Sequence, residues 1–207
     1  MNYGEGAASQ AARPARGLLC GVDLMDAIYE RRAVRAYTNR MVDKAAIRGL
    51  IDAAIQAPSA VNQQPWAFVV LQDANWLKRI SARAKQLTLA HLQPGTALFE
   101  YRVMLEDPAF DVFYGAGTLI VVCAAPGLWP ANEDCCLAAQ NLMLAAYAVG
   151  LGTCPIGLAR EALNEPGTKR PLGIPDDHSV VMPITVGYPR EHPLPTPRHD
   201  ARILAWK

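Results

Sequence analysis

At 207 residues, with 51% hydrophobic and 19% charged, the chain is sized for one well-filled core. Its net charge of +1, with no basic run, argues against binding through nucleic-acid or anionic-membrane electrostatics. The longest apolar stretch, Cys135 to Val149, is broken by Gln140-Asn141 and is too short to span a bilayer comfortably.

The five cysteines (Cys20, Cys123, Cys135, Cys136 and Cys154) form no CxxC pair. The first twenty residues lack a basic segment followed by an apolar one, so the expectation is a cytoplasmic protein with reduced thiols. Adjacent on a helix, Cys135 and Cys136 point about a hundred degrees apart and read as packing residues rather than a redox pair. The four histidines are scattered without ligand spacing, and no metal site is expected.

Residues 1–22 are rich in Ala, Gly, Arg and Ser without a period, and read as a loose arm ahead of a single domain over 23–207. Asp23 is placed to cap a helix through Leu24, Ile28 and Arg31, with Asp26 near its positive end. The segment Arg31-Arg32-Ala33-Val34-Arg35 follows. Its three arginines are either a solvated cationic patch or a planar, multidentate fork for a phosphate. Asp43 is a cap for the next helix, where Ile47, Leu50, Ile51 and Ala54 form one buried stripe.

That helix leads into Pro58-Ser59-Ala60-Val61-Asn62-Gln63-Gln64-Pro65-Trp66, a loop bracketed by prolines and filled with uncharged donors and acceptors. Such a loop suits a neutral, flat, heteroatom-edged ligand, or it is an ordinary polar connection. Trp66–Leu71 reads as an interior strand, and residues 74–92 as a charged helix. Residues 93–117 are irregular and concentrate Phe99, Tyr101, Phe110, Phe113 and Tyr114, as a substrate-facing lid or a small side cluster does.

Thr118–Ala124 is a second strand. Asn132, followed by Glu133 and Asp134, is read as the start of a long helix that Gly150 ends. This helix is apolar nearly all round, so it must be covered within the subunit or by a second copy. Residues 153–158 carry the chain onward, and a third strand runs from Ser179 to Val186. The proline-rich tail ends in Ile203, Leu204 and Trp206, and is expected to dock on another surface. Neither Gly115-Ala-Gly nor Gly150-Leu-Gly has the context of a dinucleotide fingerprint, so a Rossmann nicotinamide site is not expected.

Taken in order, these segments resemble the nitroreductase family of FMN-dependent oxidoreductases across about residues 23–200. The resemblance rests on Arg31–Arg35, on Pro58–Trp66, on Asp107–Ala116, on Ala138–Leu142 leading to Gly150-Leu151-Gly152, and on Gly187-Tyr188-Pro189 with Arg198. It implies an α+β fold, a mostly antiparallel central sheet wrapped by helices, in an intertwined homodimer with an exchanged C-terminal arm. It also implies bound FMN, NAD(P)H as donor, and an acceptor such as a nitroaromatic or quinone served in a ping-pong cycle.

By the same resemblance Arg31, Arg32 and Arg198, with Ala33 between them in the motif, hold the FMN phosphate and ribityl oxygens. Arg35 stands beside the pyrimidine end. Pro58, Ser59, Ala60 and Asn62 reach the flavin of the other subunit. Pro155, Ile156, Gly157 and Leu158 cover the ring. No catalytic side chain is expected, because the flavin carries the chemistry. Two departures stand out: Ala33 replaces the family's usual serine, and no acidic residue precedes Gly157. Flavin fragmentation, dehalogenation, ene reduction and a non-catalytic flavin carrier remain alternatives on the same scaffold.

Overall fold

The structure, a computed structural model, describes residues 22–127, 129–194 and 196–207. Cys20 and the arm expected over residues 1–22, apart from Val22, therefore lie outside the described residues. The strand Thr118–Ala124 (β2) is buried along its whole length, because both faces of the sheet are covered. On one face Ile120, Val122 and Ala124 join Ile47, Leu50 and Ala54 of helix Lys44–Ala54 (α2) and Cys135, Ala138, Leu142 and Ala146 of helix Ala131–Ala148 (α5). On the other, Leu119, Val121 and Cys123 meet Leu77, Ile80 and Ala84 of helix Ala74–His91 (α3) and Ala159, Ala162 and Leu163 of helix Ala159–Asn164 (α6). The alternation along one strand thus feeds two hydrophobic layers.

The remaining strands are Trp66–Leu71 (β1), Gly152–Pro155 (β3) and Ser179–Gly187 (β4). All pairings are antiparallel and the order is β1-β2-β4-β3. The short helices Leu24–Glu30 (α1), Arg102–Glu106 (α4) and Pro166–Lys169 (α7) complete the set. The α+β, antiparallel, helix-wrapped architecture expected from the sequence is what the chain adopts.

Local chemistry sets the element ends. The Asp23 carboxylate accepts the Met25 N–H at 2.8 Å, and that of Asp43 accepts the Ala46 N–H at 2.7 Å, so both expected caps form. At the end of α5, Gly150 takes φ +76°, and the Gly150 and Leu151 N–H groups donate back to Tyr147 and Ala146.

Several expectations need correction. Trp66–Leu71 is an edge strand, not an interior one: only β2 pairs with it, and Phe68 and Val70 are half-buried or exposed. Helix α5 begins at Ala131 with Pro130 in the cap position, so Asn132 is its second residue rather than its cap. Gly152–Pro155 is a fourth strand where only a connection was read. Of the adjacent thiols, Cys135 packs in the core but Cys136 faces out. The segment over 93–117 carries a short 3₁₀ turn at Phe99–Tyr101 and then α4.

Among the exposed apolar residues, two sets bear on assembly. Leu24, Met25, Ile28 and Tyr29 of α1 are exposed beside α5, whose Leu137 is 47% exposed. The tail is extended, and Ile203, Leu204 and Trp206 are exposed, Trp206 to 89%. Among the described residues, no helix is long and apolar enough to cross a membrane.

Because Leu142 is fully buried between α5, α2 and the sheet, Leu142→Ala is expected to cost about 2–5 kcal/mol. A urea unfolding curve showing a lower midpoint at unchanged slope checks this.

Candidate functional site

Helix α1 stops at Arg31, whose extended backbone releases the chain alongside β3. There Ala33 pairs with Thr153 in parallel register, and the Val34 N–H donates to the Thr153 carbonyl at 2.9 Å. The approach is so close that a Cβ on Gly152 would lie 2.6 Å from Val34 Cγ2, which is why glycine stands there. Tyr37 secures the far end: its hydroxyl donates to the Val34 carbonyl at 2.9 Å and lies 2.8 Å from Thr185 Oγ1. Burial, first of all, raises the Tyr37 phenol pKa, so it stays a neutral strut.

This path gathers the arginines. Burial lowers the pKa of the Arg31 guanidinium, and the neighbouring charges of Arg32 and Arg198 lower it further. The Arg198 guanidinium itself donates to the carbonyls of Thr196 and Pro197 in the tail. Arg32 Nη1 donates to the carbonyls of Tyr29 (2.7 Å) and Arg31 (2.9 Å), and its buried Nε has no partner. Among the described residues, none of Arg31, Arg32, Arg35 or Arg198 is in an ion pair. Arg31, Arg32, Tyr29, Tyr147, Thr153 and His192 are among the residues lining an open cavity of about 820 Å³.

Arg35 points elsewhere, with its guanidinium 5.9 Å from the Tyr114 ring centre. Tyr114 sits at φ +57° in a turn tied by Asp111, whose carboxylate accepts the Phe113 and Gly115 N–H groups at 3.0 and 2.9 Å. Buried Cys154 lies near both Arg35 and Arg31. Burial raises its thiol pKa and the two guanidinium charges pull it partly back, so it remains a protonated, packed side chain.

After Pro155 the Ile156 N–H donates to the Pro183 carbonyl at 2.8 Å, which extends the β3 ladder by one bond. Ile156 is buried and Leu158 half-buried, whereas Gly157 is exposed with nothing within 4 Å of a Cβ position. Open space therefore flanks the Gly157 backbone.

The Pro58–Trp66 loop is built differently. Val61, Asn62 and Gln64 all have φ between +45° and +55°, a conformation that L-residues adopt only when held. Asp134, buried in the first turn of α5, holds it: its carboxylate accepts the Ala60 N–H at 3.2 and 3.4 Å and the Gln63 side-chain amide at 3.3 Å. The Gln64 N–H donates to Ser59 Oγ at 3.0 Å, and the Gln64 side-chain amide donates to Asn62 Oδ1 at 3.2 Å. Pro58 and Asn62 are exposed, Ser59 and Ala60 half-buried, and Val61 is 84% exposed. Local pattern carries no signal for Asp134 as the anchor, since its partner lies 74 residues away.

The expected residues thus form two groups. Arg31, Arg32, Ala33, Arg35, Pro155, Ile156, Gly157, Leu158 and Arg198 belong to the β3 side, which α5 reaches at its C-terminal end. Pro58, Ser59, Ala60 and Asn62 are fastened at its N-terminal end. Helix α5, 18 residues and about 27 Å long at a rise of 1.5 Å each, runs from the Asp134 anchor of the loop to the turn into β3.

Residues 28–188 match the model of the Nitroreductase family, and the chain belongs to that family. A protein of Archaeoglobus fulgidus, whose name pairs NADH dehydrogenase with NAD(P)H nitroreductase, is 32% identical over 169 residues, covering 79% of this chain and 84% of its own. The FMN-dependent nitroreductase of Clostridium difficile R20291 superposes with a TM-score of 0.68 at 25% identity, over 88% of this chain and 98% of that one. The FMN-bound nitroreductase of Bacteroides fragilis has the same fold, with a TM-score of 0.75 at 24% identity over 90% and 98%.

Replacing Asp134 by Ala is expected to cost about 1–3 kcal/mol, because the Ala60 N–H loses its acceptor. Hydrogen exchange at the Ala60 amide should quicken more than exchange within β2.

Proposed function

We propose that the chain is an FMN-dependent oxidoreductase that takes hydride from NAD(P)H and delivers it to an oxidised small molecule such as a nitroaromatic or quinone. The observation that carries this is that Arg31 and Arg32 line one cavity, that the charge of Arg198 acts on Arg31, and that among the described residues none of the three is in an ion pair. A dianionic phosphate fits that charge, and the partnerless Arg32 Nε supplies a waiting donor. The names of the relatives support the same cofactor and donor.

In this reading Arg31, Arg32 and Arg198 bind the phosphate and adjoining ribityl oxygens, with Ala33 leaving room beside them. Arg35 sets a fixed positive charge against the pyrimidine end, where a ligand that gains electrons needs one. Pro155, Ile156, Gly157 and Leu158 cover the ring and keep water away, with the Gly157 backbone facing the open side. When bound, the flavin supplies two-electron chemistry between reduced nicotinamide and acceptor in ping-pong order. The side chains hold, orient and shield, and none is assigned a proton transfer.

The reading needs a homodimer. Pro58, Ser59, Ala60 and Asn62 of one copy complete the site of the other, because α5 separates the two groups within a chain. The exposed apolar residues of α1 and α5 are the surface that a second copy covers. The free edge of β1 and the groove lined by Ile51, Phe68 and Val70 receive the partner's C-terminal arm, led by Ile203, Leu204 and Trp206. The same reading puts the protein in the cytoplasm, in keeping with four unpaired described cysteines.

The test is an absorption spectrum of purified protein supplied with FMN, followed by anaerobic NADH or NADPH. Bands near roughly 370 and 450 nm that bleach with one donor are expected. The double variant R31A/R198A should lose the bands. Retained flavin in that variant would overturn the phosphate assignment, and a wild-type protein that takes up no FMN would overturn the function.

A further inference from the structure

Among the described residues, Thr153 is the fully buried hydroxyl-bearing residue whose side chain is left without a partner. Ser81 Oγ accepts the Val112 N–H, Thr118 Oγ1 accepts from Gln72, Thr185 Oγ1 donates to the Cys154 carbonyl, and Lys169 Nζ donates to the carbonyls of Asp176 and His178. Asp134 holds the Pro58–Trp66 loop. Thr153 is 1% exposed, and its Oγ1 has no partner. Leaving such a group unpaired costs about as much as folding gains from several good contacts, so a partner is expected to arrive.

Among the described residues, the buried side-chain N and O atoms without a partner are Thr153 Oγ1 and Arg32 Nε, and both residues line the same cavity of about 820 Å³. The pairing of strand and arginine segment explains the coincidence. Ala33 and Thr153 are bridge partners in parallel register, and Val34 lies against Gly152. Ala33 has no hydroxyl to offer beside the arginines, and its bridge partner Thr153 has one.

We infer that Thr153 is a further cofactor-binding residue: its hydroxyl donates to a phosphate oxygen that the Arg32 guanidinium also holds. The inference rests on the FMN reading above and deepens it. An acceptor with several oxygens satisfies both orphaned donors at once, which a ring nitrogen with its single lone pair does not. The threonine thereby does, from β3, what a hydroxyl at position 33 is not there to do.

The experiment compares wild type, T153V and T153S for binding of FMN and of riboflavin, which lacks the phosphate, by quenching of flavin fluorescence. Valine keeps the shape and removes the hydroxyl; serine keeps the hydroxyl. Thermal unfolding of each apoprotein confirms that the variants fold alike. The expected result is FMN binding weakened about tenfold or more in T153V, near wild type in T153S, and riboflavin binding equal in all three. Equal FMN affinity in wild type and T153V overturns the inference while leaving the FMN reading intact. A T153V loss of the same size for both flavins also overturns it, since the hydroxyl would then act away from the phosphate. Wild-type protein that binds neither flavin removes the FMN reading itself.

Discussion

Arg31 and Arg32 line one cavity with Glu30, the charge of Arg198 acts on Arg31, and among the described residues none of these arginines is in an ion pair. Burial lowers the pKa of the Arg31 guanidinium, and the charges of Arg32 and Arg198 lower it further. In the proposed reading a phosphate supplies the opposing charge. What surrounds the arginines follows from keeping the charges in place. Helix α1 stops where Arg31 must turn outward, Gly152 lets the arginine segment press against β3, and buried Tyr37 ties Val34 to β4.

A second constraint comes from α5. It is long, covered on the sheet side, and exposes Leu137 and Cys136 on the other. Its first turn fixes the strained Pro58–Trp66 loop through Asp134, and its last turn hands the chain to β3 and the arginines. The helix therefore acts as a spacer within one chain. A two-fold axis beside it would bring the N-terminal end of one copy to the C-terminal end of the other, and each half-site would find its complement. The half-covered edge strand β1 and the exposed apolar tail belong to the same logic.

Much of the fold was legible because it is written locally. Asp43 and the stripe Ile47, Leu50 and Ala54 announce the eleven-residue α2 and its cap, and the run from Thr118 to Ala124 has the composition of a strand buried on both faces. What escaped was non-local. The run Trp66–Leu71 looked interior because its residues are apolar on both faces, yet nothing in its own composition reveals how many neighbours it has. Strand β3 is four residues with a glycine at one end and a proline at the other, too short for a period to emerge. The arginine motif and the polar loop could be picked out by residue type, but the role of Asp134 depends on a contact across 74 residues, and that of Thr153 on a bridge to Ala33.

The claim that each site is shared between two copies is tested most directly by mixing defects. One tagged chain carries R31A/R198A and a differently tagged chain carries N62W, and mixed dimers are isolated by both tags after coexpression. A shared site predicts one intact and one doubly defective site per mixed dimer, hence FMN at half the wild-type stoichiometry although neither homodimer retains it. Mixed dimers devoid of FMN would contradict the account, because each chain would then be building its site alone.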